Sequence, residues 1–247
     1  MGRSPLRRTL AGLVAGGSLA VALGACGTDT VPQNADLIAG KRAFVKSCGS
    51  CHVLGRATTK GNSGPNLDDA FRQALRDGFG RDTVRGVIHQ QILHPARLPK
   101  DNVAYMPAKL VKGKLAQDVA AYVASVTALP GKDAGRLGSA VKAPGAGKPI
   151  EAKGGKLEIP SDPNGQLAYL TTVARAEKGQ LELTSKNPSS TPHNIAIEGG
   201  GLNEKGPVVQ GGGVSKVSIA VKAGEYTYYC SVPGHREAGM LGKLTVK

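Results

Sequence analysis

The 247-residue chain contains no tryptophan, and Phe and Tyr together make up only 4% of it. A large aromatic core is therefore excluded. Cysteine is sparse too, with four residues in all: Cys26, Cys48, Cys51 and Cys230. An exported chain can use its cysteines for disulfides, but each of these has a separate chemical task and none is left to pair. Histidine occurs five times, and only His193 and His235 fall in the second half, so nothing is spare there for an additional catalytic metal. No apolar run has the length and composition of a membrane span. No nucleic-acid-binding motif is present either.

What is there begins with an export signal. Arg3, Arg7 and Arg8 form a basic start, and an apolar run rich in Gly and Ala follows over 10–25. A short run of small residues fits a cleaved signal better than a membrane span. It ends in Leu23-Gly24-Ala25-Cys26, which resembles a bacterial lipobox. That resemblance implies cleavage before Cys26, lipidation of its thiol, and anchoring at the outer face of the cytoplasmic membrane or in the periplasm. Residues 26–36 read as a polar tether.

The formal net charge is +14. Between 37 and 129, 14 basic and 6 acidic residues leave +8, whereas 10 and 8 between 156 and 247 leave +2. The basic excess thus belongs to the first half, where it suits docking to an acidic redox partner or an anionic membrane.

Two domains are expected, an all-α one over 37–129 and an all-β one over 156–247. In the first, helical spacing runs over 37–45 with Asp36 as cap, over 82–93 until Pro95, and over 115–126. In the second, 180–184, 194–197, 216–221 and 243–246 alternate polar and apolar residues, and 226–229 favours strand; such strands between Gly, Pro and Asn turns imply a sandwich or barrel. Between the domains, 10 of the 26 residues over 130–155 are Gly or Pro. That composition reads as a flexible linker. As a free coil it would span about 25–30 Å, enough to let two small domains touch or separate.

Cys48-Gly49-Ser50-Cys51-His52 is a C-x-x-C-H motif. Each thiol can form a thioether with a haem vinyl group, and the adjacent imidazole can ligate the iron. A redox disulfide would call for a βαβ context, and zinc for a second ligand pair nearby; neither is seen. With Gly40, Phe44, Tyr122, Gly64-Pro65-Asn66-Leu67 and Tyr105-Met106-Pro107, this segment resembles the class I cytochromes c over 37–129. The resemblance implies haem c held by Cys48 and Cys51, His52 and Met106 as axial ligands, and the Pro65 carbonyl orienting His52. It also implies close packing of the first and last helices at Gly40. His89 and His94 are competing axial candidates.

The second half holds one Cys, two His and one Met: His193, Cys230, His235 and Met240, the last three separated by four residues each. A thiolate, two imidazoles and a weak thioether are the ligand set of type 1 blue copper. A binuclear site bridged by two thiolates is excluded by the single Cys230. Pro192-His193-Asn194-Ile195 and the run Tyr228 to His235 resemble the cupredoxins, the plastocyanin/azurin group, over 156–247. The loop spacing is similar to the rusticyanin or auracyanin pattern. This implies a Greek-key sandwich, with Asn194 tying the ligand loops together.

Both metals are then saturated by protein ligands, which suits outer-sphere electron transfer and not catalysis. The expectation is a non-enzymatic relay of single electrons between partner proteins, such as a quinol-oxidising complex and a terminal oxidase or reductase. An enzyme would need an open iron or a second copper. A copper carrier or sensor would favour an exposed, exchangeable site.

Overall fold

The computed structural model describes residues 32–102 and 104–247. Cys26 and the export signal lie outside them. No helix among the described residues is long and apolar enough to cross a membrane.

The first half is built on α1 (Leu37–Ser47), then β1 (Val53–Leu54), β2 (Thr59–Lys60), α2 (Leu67–Ala70), α3 (Arg72–Arg76), α4 (Arg81–Leu93) and α5 (Gly113–Val126). Asp36 caps α1: one carboxylate oxygen accepts from the amides of Ile38 and Ala39 at 3.0 and 2.9 Å, satisfying donors that a helix start leaves open. Helix α5 is buried along most of its length and packs against both α1 and α4. Its approach to α1 depends on Gly40, where any Cβ would overlap the Asp118 carbonyl. Phe44 and Tyr122 meet just beyond, with ring centroids 6.4 Å apart. Each such large apolar side chain contributes roughly 1.5–3 kcal/mol on burial. The half is not purely helical, because β1 and β2 pair antiparallel directly after the C-x-x-C-H turn. Two residues per strand are too short to leave a period-2 signature in the sequence.

The segment read as a flexible linker is ordered by contacts at both ends. The Asp133 carboxylate is almost wholly buried; it takes an ion pair from Lys41 at 2.9 Å and a hydrogen bond from the Tyr122 hydroxyl at 2.9 Å. The short helix α6 (Gly135–Gly138) follows, and Leu137 and Val141 pack on the helical core. Further on, the Gly147 amide donates to the Leu170 carbonyl at 2.7 Å, and β3 (Ile150–Glu151) enters a sheet. The free-coil reach therefore does not describe 130–155. Gly and Pro reported turns, while one buried acid and a few apolar residues supplied the anchors.

The second half adds β4 (Lys156–Glu158), β5 (Val173–Ala176), β6 (Gly179–Asn187), β7 (Ala196–Gly199), β8 (Leu202–Lys205), β9 (Gly213–Val221), β10 (Gly224–Tyr229) and β11 (Leu241–Val246). They form a six-stranded sheet in the order β3-β5-β11-β10-β7-β8 and a three-stranded sheet β4-β6-β9. Leu181, Leu183, Val217, Ile219 and Val221 alternate inward from β6 and β9. They meet Tyr226, Tyr228 and Leu244 of the other sheet in one core, the packing of a β-sandwich. The sandwich starts at β3, earlier than the expected boundary at 156. Asn194 and Ile195, read as strand, lie before β7. The Ile195 amide donates instead to the Ser215 hydroxyl at 3.1 Å, while His193, just before this stretch, pairs in both directions with Val209.

Candidate functional site

Among the described residues one group of metal-ligating side chains gathers: His193, Cys230 and His235, all buried, with ligand atoms within 4.8 Å of one another. His193 Nδ1 lies 3.2 Å from His235 Nδ1, and Cys230 Sγ lies 3.5 Å from the same His235 atom. Cys230 directly follows β10, and Met240 directly precedes β11. The Cys230 amide donates to the Met240 carbonyl at 3.0 Å and the Met240 amide to the His235 carbonyl at 2.9 Å. The loop therefore closes on itself, with Met240 fully buried and its backbone bonded to both Cys230 and His235.

Burial keeps the two imidazoles of the cluster in their neutral form. Burial, reinforced by neighbouring His235, pushes His193 down to about 3. Burial also lowers His235, against an opposing pull from Glu237. Both imidazoles are thus neutral near pH 7 and carry lone pairs for a metal. Burial raises the Cys230 thiol, while the Asn194 amide, 3.5 Å from the sulfur, pulls the other way. A bound cation would take the thiolate form and release the proton.

Asn194 holds the frame. Its Nδ2 donates to the Gly206 carbonyl and the Ser231 hydroxyl, both at 2.9 Å, and its Oδ1 accepts from the Ser231 amide at 2.8 Å. The Asn194 carbonyl accepts from the Tyr169 hydroxyl at 2.6 Å. On the outside, Arg236 pairs through both terminal nitrogens with Glu198 and lies over the Tyr229 ring, 4.4 Å from its centroid. Tyr169, Ser215 and Ser231 carry no local signature; only the folded register shows their part.

The helical half contains a second site. Cys48, Cys51, His52, Pro65 and Met106 line one largely apolar cavity whose walls include Phe44, Ile88, Ile92 and Val123. His52 Nδ1 lies 3.0 Å from the Pro65 carbonyl, which fixes that nitrogen as the donor and leaves Nε2 as the ligating atom. Gly64 lies so close to the His52 ring that a Cβ there would strike it at 2.6 Å. The Gln91 amide lies 3.9 Å from the Met106 sulfur. Burial, with Cys51 beside it, pushes the Cys48 thiol up to about 12. His89 instead lines a separate cavity with Arg85 and Asp118. His94 is exposed at the end of α4. Two thiols, one oriented imidazole and one thioether on an apolar cavity fit a covalently held haem.

Residues 158–247 match the family described as copper binding proteins, plastocyanin/azurin family. No curated protein matches the chain. Solved structures similar to it include reduced auracyanin from the photosynthetic bacterium Roseiflexus castenholzii, at 23% identity over 39% of this chain and 99% of that one, TM-score 0.34. Auracyanin A, a blue copper protein of Chloroflexus aurantiacus, is 26% identical over 40% of this chain and all of its own, TM-score 0.33. An amicyanin variant in its copper(I) form is 22% identical over 39% and 86%, TM-score 0.30. The second half is a cupredoxin-type domain, and the family match together with the His/Cys/His cluster supports type 1 copper as its metal.

Proposed function

We propose that this chain is an exported electron carrier, not an enzyme, that joins a c-type haem in its helical half to a type 1 copper in its sandwich. A haem and a copper so held each supply a reversible one-electron change. His193, Cys230, His235 and Met240 would hold the copper. Cys48 and Cys51 would hold the haem through thioethers, with His52 and Met106 at the iron.

The observation that carries the haem reading is the cavity that gathers both thiols, the Pro65-oriented His52 and Met106 against one apolar wall. Residues spread over 58 positions would have little other reason to meet there. Neither His89 nor His94 lines that cavity, which favours Met106 as the second axial ligand. For the copper, the buried neutral histidines and the Asn194 ties resist rearrangement, and a rigid ligand frame keeps the cost of electron exchange low. Lipidation at Cys26 would place the chain at the outer membrane face. Its basic helical half would then meet acidic partner proteins, with a quinol-oxidising complex as donor and a terminal oxidase or reductase as acceptor.

A potentiometric titration of the purified full chain, followed by visible spectroscopy, tests the reading. Two separable one-electron transitions are expected, one from haem that resists acid-acetone extraction and one from a blue or green copper band. Extractable or absent haem, or a colourless copper-loaded chain, would overturn it.

A further inference from the structure

The two halves touch at a specific place, beside the C-x-x-C-H turn on one side and the Cys230–Met240 loop on the other. Three contacts define it. Gln166, only 2% exposed, donates from Nε2 to the Val45 carbonyl at 2.6 Å. That carbonyl lies in the last turn of α1, where carbonyls lack a helical partner, and the amides of Cys48 and Gly49 both go to Phe44 instead. A side chain of the sandwich thus satisfies the end of a helix in the other half. Gln166 is seated in a notch at Gly49, inside the C-x-x-C-H turn, where a Cβ would overlap the amide nitrogen.

The second contact is between Asn62 and Gly234. Gly234 has φ +78°, and a Cβ on it would overlap Asn62 Nδ2. Gly234 is bonded directly to His235. The third is Lys60, whose Nζ lies 3.0 Å from where a Cβ of Gly239 would sit, one residue before Met240. The segment 59–62 is itself pressed against Cys51. Gly61 is so close that a Cβ would overlap the Cys51 backbone, and the Gly64 amide donates to the Cys51 carbonyl at 2.8 Å.

From these contacts we infer that the copper-ligand loop and the C-x-x-C-H segment form a preformed electron route: Cys51, Gly61-Asn62, then Gly234-His235. The inference rests on the function proposed above and adds the surface through which the two sites communicate. Two short steps in the route cross space, Cys51 to Gly61 and Asn62 to Gly234, and Gln166 holds the halves in register beside the second. Transfer within the chain therefore needs no diffusive encounter of the domains.

The test joins a structural and a kinetic measurement on the full chain, comparing wild type with Asn62→Trp and Gln166→Leu. Asn62 is exposed in a loop, so a bulky residue there wedges the halves apart without entering either core. Small-angle scattering of the copper-free chain should show one compact particle for wild type and a larger radius of gyration for Asn62→Trp. Flash reduction of the haem should bleach the copper band at a rate independent of protein concentration and of added glycerol. In Asn62→Trp the rate should fall about tenfold or more and become glycerol-dependent, since the covalent connection through 130–155 alone then sets the encounter. Gln166→Leu should give a smaller change in the same direction. Two separated bodies in wild-type scattering, a glycerol-dependent wild-type rate, or an Asn62→Trp chain unchanged in both measurements would overturn the inference while leaving the carrier function intact. Loss of either cofactor signature from wild type would overturn that function, and scattering would still decide the docking.

Discussion

The Nδ1 atoms of His193 and His235 face each other across 3.2 Å in a buried site, beside the Cys230 sulfur. Both imidazoles are held neutral by burial, so the pair offers lone pairs and no charge. Copper should therefore stabilise the sandwich by mass action, by about 4 kcal/mol at a thousandfold excess over Kd. Thermal unfolding with and without copper measures this. Cys230→Ser should abolish the visible band, because the thiolate is its source. Met240→Leu should keep the band and raise the potential.

Asn194 joins the His193 strand to the Gly206 and Ser231 backbones through its one side chain. Asn194→Ala should lower copper affinity by about 10–100-fold, as expected when a group that orients metal ligands is removed. Competition with a chelator of known affinity checks it. An unchanged Kd would show that the loops hold without the side chain.

The His52 ring is fixed between Pro65 and Gly64. Gly64→Val should displace the ring and weaken the low-spin haem spectrum while leaving the thioethers in place. Met106→Ala should remove the weak far-red sulfur-to-iron band. Persistence of that band would return His89 and His94 to consideration.

Asp133 ties the segment after α5 back to α1. Asp133→Asn leaves Lys41 buried without its counter-charge and should cost about 3–5 kcal/mol. Replacing Lys41 and Asp133 together by Met and Leu should recover most of that loss, since a buried pair is often neutral relative to apolar residues. Urea unfolding of the two variants beside wild type distinguishes ion pairing from simple packing.

Cys26→Ser should release the chain from the membrane fraction or block processing of the signal. An unmodified, soluble N-terminus found by mass spectrometry on native protein would reject lipidation.

The His193, Cys230 and His235 cluster was legible because chemistry constrains spacing, with Cys230, His235 and Met240 in one loop, while Cys48, Cys51 and His52, in one turn, are candidates that line a common cavity. Long elements with full periods were equally legible, as in α4, α5, β6 and β9. Short ones were not. β1, β3, α2 and α6 have two to four residues each and are held by neighbours instead of by their own pattern. Asn194 and Ile195 alternate like a strand, yet the Ser215 hydroxyl captures the Ile195 amide. Between the halves, composition pointed to freedom where Asp133 and Gln166 impose order. A single buried polar side chain leaves no trace in Gly and Pro counts.

Strand β11 has a further consequence for how the chain comes together. It pairs with β5 on one side and β10 on the other, so it lies in the interior of its sheet although β5 and β10 are far apart in sequence. In the helical half α1 and α5 meet without this strand, whereas the β3–β5 pair joins the rest of its sheet only through β11. Pairings of such sequence separation form slowly. Cys230 and Met240 flank the loop between β10 and β11, so the ligand cage closes only once β11 is paired.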